Sequence, residues 1–232
     1  DSSIGGKVAV DHPLGKNLIG AFHQPERVFI DTALLKTLPP REFRNGLAEV
    51  IKYALILDRP LFETLERDSS RVRRQSSAAL PGIVKRCCEL KKLIVEQDER
   101  ENDLRRILNF GHTIGHALEL LSRYRIPHGE AVSIGMVAEA GIAASLPMFP
   151  ASELVRLKNL LSLYGLPIEL PAGTDLKRLF SLTIRDKKSR GGAVHYTLPN
   201  AIGRATTGVR LTPADARALY RTRPDMSGNY GK

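Results

Sequence analysis

The stretch 109-NFGHTIGHALELLSRYRIPHGEAVSIGMVAEAGIAAS-145 decides the fold class. Helical character is predicted within 102–124, and 129–145 is rich in Ala, Gly and Ile, small residues that let helices pack closely. The apolar run 131–149 carries Glu139, glycines and a proline, so it reads as a buried helix and not as a membrane span. His112 and His116 stand four apart on a helix and share one face. His128 follows Pro127, where a new helix begins, within reach of that face. A helical histidine pair with a third histidine from a nearby helix start suits zinc. The Glu that follows the first histidine of a zinc peptidase is missing, which disfavours peptidase chemistry. Three histidines in this pattern also fit ordinary surface or core positions, and the pattern alone leaves both readings open.

Upstream, 39-PPREFRNGLAEVIKYALILD-58 opens with prolines, as helix starts do, and sets Phe43, Leu47, Val50, Ile51, Ala54 and Leu55 at helical spacing. Glu49 lies among the apolar residues of this helix, where a carboxylate is costly unless paired or metal-bound. Taken by itself, the segment favours an exposed Glu49–Lys52 pair on the wet face. Further helices are expected over 60–67, 77–98 and 175–185, and over 152–164 from a Ser152 cap, with Thr212 capping a last one from Pro213. Two short strands, about 193–198 and 203–209, are turned by Pro199 and Asn200. Residues 1–26 read as loop, 27–31 as a short strand and 221–232 as a loose tail. The fold class is therefore mainly α.

Composition narrows the function. Hydrophobic residues at 42% and charged residues at 26% exclude wholesale disorder. The two cysteines, Cys87 and Cys88, are adjacent and cannot build a disulfide framework, which fits a reducing cytoplasm. The net charge of +10 fits a small anionic ligand at least as well as nucleic acid. Aromatics at 6%, with no Trp, weigh against nucleic-acid stacking. Lys7, Lys16, Lys187 and Lys188 lie in or beside glycine-rich loops, where backbone N–H groups can approach phosphate, although no loop has a dinucleotide or P-loop spacing. The opening DSSIGGK, without Met and dense in glycine, reads as a cut edge.

Taken in order, DSSIGGK, HPLGKNLIGAF, GLAEVIKYALI, DERENDLRRILNFGHTIGHALE, PHGEAVSIGM and DKKSRGG resemble the 3-dehydroquinate synthase family. The resemblance runs from Asp1 to about Ala218. It implies conversion of 3-deoxy-D-arabino-heptulosonate 7-phosphate to 3-dehydroquinate and phosphate in the shikimate pathway, with NAD and one Zn2+ or Co2+ as cofactors. It implies Glu49, His112 and His128 as metal ligands, and His116 beside the substrate phosphate with a role in proton transfer. Lys52 and Asn109 match catalytic and substrate-binding positions, and Asn17, Lys91, Arg105 and Lys187 match further substrate positions. Asp1, Lys7, Lys16 and the segment Leu34, Leu35, Lys36 and Thr37 match positions near NAD. Departures are few: Val8 replaces a common threonine, Asn102 and Asp103 replace small residues, and Arg106 adds charge beside Arg105.

The implied architecture is a two-domain enzyme. Residues 1–38 would be a remnant of its α/β nucleotide domain with substrate loops, 39–220 the helical metal- and substrate-binding domain with a short β-hairpin near 193–209, and 221–232 a flexible tail. The expectation is a cytoplasmic lyase acting on a sugar phosphate, a homodimer at full length, with no nucleic-acid or membrane partner. This chain alone is expected to bind zinc but to turn over no substrate. Rival readings are another sugar phosphate cyclase, a glycerol-dehydrogenase-like enzyme, and a non-catalytic basic domain that binds nucleic acid.

Overall fold

A computed structural model of the chain describes residues 2–12, 15–101, 103–185 and 192–223. In chain order the elements are β1 (Lys7–His12), β2 (Gly15–Phe22), a 3-10 segment (Thr32–Thr37), α1 (Pro40–Leu57), α2 (Arg59–Arg67), α3 (Ser69–Arg73) and α4 (Leu80–Gln97). They continue with a 3-10 segment (Leu104–Asn109), α5 (His112–Leu121), α6 (His128–Ser145), α7 (Ala151–Leu163), α8 (Leu176–Leu182) and a 3-10 turn (Thr183–Arg185). The chain closes on β3 (Val194–Ala201), β4 (Arg204–Leu211) and α9 (Pro213–Thr222). The chain is mainly helical, as its apolar spacing predicts. No helix among the described residues is long and apolar enough to cross a membrane.

Four local expectations are corrected. Residues 7–12 and 15–22 are not loop: β1 and β2 form an antiparallel hairpin, with Lys7 opposite Phe22 and Val10 opposite Ile19. Residues 27–31 form no strand, because no backbone pairs with them among the described residues. Helix α7 starts after Pro150 and takes Ser152 into its first turn, so Ser152 is not its cap. The second hairpin turns at Ile202 and Gly203; β3 runs on through Pro199 and Asn200, with its register shifting around Pro199. The Thr212 cap is present as a full capping box with Asp215.

Two compact units divide the chain: Asp1–Leu38 with Ser70–Arg106, and Pro39–Ser69 with Ile107–Lys232. In the first, the 3-10 segment 32–37 packs on α4. The Arg105 guanidinium donates to the carbonyls of Gly5 and Glu99 at 2.9 and 2.6 Å, and Asp98 accepts from the backbone of Asp103 and Arg105. Side chains of Val8, Val10, Ile19 and Phe22 are at least half exposed.

The second unit is built around α6, which packs against α1, α5, α7, α9 and β3. Its glycines set the spacing. A Cβ on Gly135 would stand 2.0 Å from the Gly111 carbonyl oxygen, and one on Gly129 would stand 2.3 Å from that of Asn45. Only glycine permits either approach, so α5 and α1 lie closer to α6 than ordinary side chains allow. Around this contact Ile51, Leu55, Ile114, Val132, Met136, Leu157 and Tyr196 are buried. Each fully buried Leu or Ile contributes about 1.5–3 kcal/mol. Asp58 closes α1 and caps α2, its carboxylate accepting from the Leu61 N–H at 3.0 Å. The tip of the β3–β4 hairpin is tied down by a Gly203 N–H bond to the Leu55 carbonyl and an Ile202 N–H bond to Glu153, each 2.6 Å.

Candidate metal centre

Three helix segments of the second unit bring titratable side chains together. α1 supplies Glu49 and Lys52, α5 supplies His112, His116 and Glu119, and the first turn of α6 supplies His128. Pro127 has φ −58° and ψ 150°, an extended residue that starts α6 and makes His128 its first helical position. The two residues after His128 pin that helix start to α1: Gly129 fits beneath Asn45, and Glu130 accepts two bonds from Arg41 at 2.7 and 3.0 Å. This bidentate pair is partly exposed and contributes modestly to stability, but it fixes orientation.

The geometry converges on one atom. Nε2 of His112 and Nε2 of His128 lie 3.3 and 3.5 Å from Oε1 of Glu49. That oxygen is buried and accepts no well-formed hydrogen bond, while Oε2 of the same carboxylate accepts from Lys52 Nζ at 2.5 Å. The ligand atoms of Glu49, His112 and His128 all lie within 4.8 Å of one another. Behind the rings, Nδ1 of His112 is 3.1 Å from the Phe110 carbonyl oxygen, and Nδ1 of His128 is 3.3 Å from Oε2 of Glu119. With Nδ1–H donated backward on each ring, both Nε2 lone pairs would be free for a cation at the centre of the cluster. A buried carboxylate oxygen lacking a donor, faced by two imidazole nitrogens, is a donor set that fits a divalent cation such as zinc or cobalt.

Electrostatics agree with the geometry. Burial pushes the Glu49 carboxyl up, but the Lys52 ammonium and the two imidazoles outweigh it and hold it well below the usual carboxylate range. Burial and the Lys52 charge lower His112, against the pull of the Glu49 carboxylate. The neighbouring carboxylates of Glu119 and Glu49 push His128 up to about 9 against its partial burial. A cation entering the cluster therefore displaces a proton from His128. His128 is 43% exposed at its side chain, so the open side of the cluster faces solvent.

The exposed Glu49–Lys52 pair expected from the α1 segment alone is corrected: the pair exists, but Lys52 is buried at 3% exposure. His116 sits beside His128 with the rings stacked at 5.9 Å between centroids. Asn109 is half-buried and directly precedes Phe110, whose carbonyl orients His112. In the other unit, Arg105 is buried on backbone carbonyls, Lys91 is half-buried on α4, Lys7 pairs with Glu101, and Leu34–Thr37 lie in the 3-10 segment. Lys16 and Asn17 are on β2. Asp1 and Lys187 lie outside the described residues.

Two carboxylates went unassigned from the sequence. Glu119 is buried seven residues after His112 and three after His116, so helical spacing alone puts it on their face. Glu139, wholly buried in α6, accepts from the N–H groups of Gly111 at 2.7 Å and Ile114 at 2.9 Å, the free donors at the start of α5. Burial pushes its carboxyl up to about 8, against the pull of the Ile114, Gly111 and Thr113 N–H groups.

Comparison with known proteins places this arrangement. Residues 46–189 match the family described as 3-dehydroquinate synthase C-terminal, and residues 1–45 the one described as 3-dehydroquinate synthase N-terminal. The 3-dehydroquinate synthase of Pelobacter propionicus is 52% identical over 204 residues, 88% of this chain and 56% of that protein. That of Thermodesulfovibrio yellowstonii is 44% identical over 220 residues, 94% of this chain and 61% of that protein. The chain thus spans about three fifths of the length of these curated relatives. Among solved structures, a 2-epi-5-epi-valiolone synthase from Streptomyces hygroscopicus with NAD+ and Zn2+ bound superposes with a TM-score of 0.86 at 30% identity, covering 96% of this chain and 62% of that one. A 2-deoxy-scyllo-inosose synthase complexed with carbaglucose-6-phosphate, NAD+ and Co2+ gives 0.81 at 30% identity, with 96% and 64% covered. With both family matches contiguous along the chain and relatives near half identity over nearly all of it, this chain belongs to the 3-dehydroquinate synthase family.

Proposed function

We propose that the chain is the metal- and substrate-binding part of a 3-dehydroquinate synthase, which converts 3-deoxy-D-arabino-heptulosonate 7-phosphate to 3-dehydroquinate and phosphate. The observation that carries this reading is the buried Glu49 Oε1 without a hydrogen bond, faced by His112 and His128 Nε2. Glu49, His112 and His128 would hold Zn2+ or Co2+, a three-residue donor set of the kind that catalytic sites use. When bound, the metal polarises a substrate hydroxyl and stabilises negative charge on its oxygen. Lys52 holds Glu49 ionised and in place, and adds positive charge beside the substrate oxygens. His116, next to the ligand His128, is suited to move a proton at its exposed ring, and Asn109 orients the substrate. Asn17, Lys91, Arg105 and Lys187 as substrate contacts, and Asp1, Lys7, Lys16 and Leu34–Thr37 as NAD contacts, rest on the family resemblance.

Pathway role, cytoplasmic location, homodimerisation, and the absence of nucleic-acid or membrane partners belong to the same reading. So does the division of the chain into a nucleotide-domain remnant, 1–38, and a metal- and substrate-binding domain from 39 to 220. The likeness to two other sugar phosphate cyclases favours a second reading, in which a different carbocycle is formed; the nearer identity of the 3-dehydroquinate synthases supports the first.

Two measurements test the reading. Purified chain is expected to take up one equivalent of zinc, and His128→Ala to lower that content; unchanged stoichiometry removes His128 from the ligand set. Product analysis on the whole protein carrying this chain, supplied with zinc, NAD and several sugar phosphates, is expected to give 3-dehydroquinate from the seven-carbon acid. A different carbocycle from another sugar phosphate assigns the second reading.

A further inference from the structure

We infer that Glu119 is the positioning residue for the metal-facing histidine of α6: its buried carboxylate fixes the tautomer and ring orientation of His128. This rests on the reading of Glu49, His112 and His128 as a metal centre. The two ring ligands are held from behind by different groups. His112 has its Nδ1 at 3.1 Å from a backbone carbonyl, that of Phe110, which belongs to the same turn and moves with it. His128 stands at the first position of another helix and has no such carbonyl in its own turn among the contacts observed. Its Nδ1 faces Oε2 of Glu119 at 3.3 Å, across from α5.

Glu119 suits this role by its burial and by where its carboxylate stands. Its side chain is 3% exposed, so its charge has little water to solvate it and must be met by protein donors. The same Oε2 stands 4.0 Å from Nε2 of His116, placing one anionic oxygen between two imidazoles. A carboxylate accepts and does not donate, so in the metal-free chain both His128 nitrogens face acceptors, Nδ1 toward Glu119 and Nε2 toward Glu49; a cation at the cluster would replace the Nε2 proton, and Glu119 then holds the remaining proton on Nδ1. An anionic acceptor also makes the ring a stronger donor to a cation than a neutral carbonyl does. Glu119 further ties the angle of His128 to α5, the helix that carries His112, so the two ligands are set against one another by a direct side-chain link.

The test uses the whole chain and zinc alone. Glu119→Ala should weaken zinc binding by about 10–100-fold in competition with a chelator, the range found for groups that orient metal-bound histidines. Glu119→Gln, which keeps an acceptor oxygen, should recover part of that loss. Nitrogen-15 correlation spectra of the zinc-bound protein should place the His128 proton on Nδ1 in the parent and give a mixture of tautomers in Glu119→Ala. Far-UV circular dichroism of both variants checks that the helices remain. If His128→Ala lowers zinc content while Glu119→Ala keeps the parent affinity and the parent tautomer, Glu119 has no positioning role and the inference is wrong. If His128→Ala leaves zinc content unchanged, the metal-centre reading fails first.

Discussion

Glu139→Gln separates two forces acting on one buried carboxyl. Glu139 accepts from the N–H groups of Gly111 and Ile114, which favours the ionised form, while complete burial opposes charge and wins, with the carboxyl pushed from its usual 4.5 up to about 8. The folded chain therefore binds a proton here more tightly than the unfolded one. The sign follows: this contribution to stability is fully present below pH 4.5 and is lost as pH rises through about 8. Each pH unit inside that window is worth about 1.4 kcal/mol, so the whole window amounts to roughly 5 kcal/mol. Glutamine does not titrate and lacks this slope.

At pH 5 the variant has a different defect. A protonated carboxyl can turn its hydroxyl hydrogen away and still present lone pairs to both backbone N–H groups, whereas an amide must aim its NH2 at one of them. One buried donor is left unmet, a cost of about 2 kcal/mol. The variant should thus unfold about 4–8 °C below the parent at pH 5, should draw level between pH 6 and 7, and should be the more stable protein at pH 9. The tyrosines among the described residues, Tyr53, Tyr124, Tyr164, Tyr196 and Tyr220, all lie in the second unit, so tyrosine near-UV circular dichroism during thermal unfolding reports on the unit that contains Glu139. The comparison with the parent cancels the titration of Glu49 and His128, which both proteins share. A difference that stays flat from pH 5 to pH 9, or grows in the parent's favour with pH, would refute the reasoning. It would mean that the N–H groups of α5 outweigh burial and keep the carboxylate charged.

Lys52→Met leaves the Glu49 carboxylate beside two imidazoles without its ammonium, and should lower stability by about 2–4 kcal/mol in metal-free protein. Excess zinc should restore most of that loss by supplying the missing positive charge, so the gap in melting temperature between parent and variant should narrow on metal addition; an equal gap with and without zinc would count against the cluster as a cation site. Gly135→Ala sets a methyl 2.0 Å from the Gly111 carbonyl, which must force α5 and α6 apart. It should cost about 3 kcal/mol or more and reduce zinc affinity together with stability, both readable in one titration followed by a melt.

Much of the fold is legible in the sequence because it follows from one-dimensional patterns. The spacing of Phe43, Leu47, Ile51 and Leu55 defines α1, Thr212 and Pro213 define the start of α9, and the all-round apolar character of 131–143 marks α6 as central. What failed depends on partners distant in the chain. Val8, Val10 and Ile19 share one face of a hairpin, but the surrounding glycines and lysines disguise that alternation as loop. Residues 27–31 have strand-forming side chains and no strand to pair with. Lys52 reads as a surface lysine because its burial depends on packing that no local pattern reveals. Ser152 lost the capping position because Pro150 already holds the extended backbone that a helix start needs.

The candidate site divides along the same line. The four-residue spacing of His112 and His116 states that both share a face of α5, and cannot say which of them meets Glu49. That choice is made by the rotation of α5 about its own axis. The rotation is set from α6 by two contacts near the start of α5. Gly135 admits the Gly111 carbonyl at a distance no side chain would allow, and Glu139 takes the Gly111 and Ile114 N–H groups. Together they turn His112 inward, to 13% exposure and 3.3 Å from Glu49, and leave His116 at 42% exposure beside His128. The two histidines of one motif are therefore separated in role by residues of another helix, and a change at Gly135 or Glu139 should shift the position of His112 without touching any residue of the metal cluster.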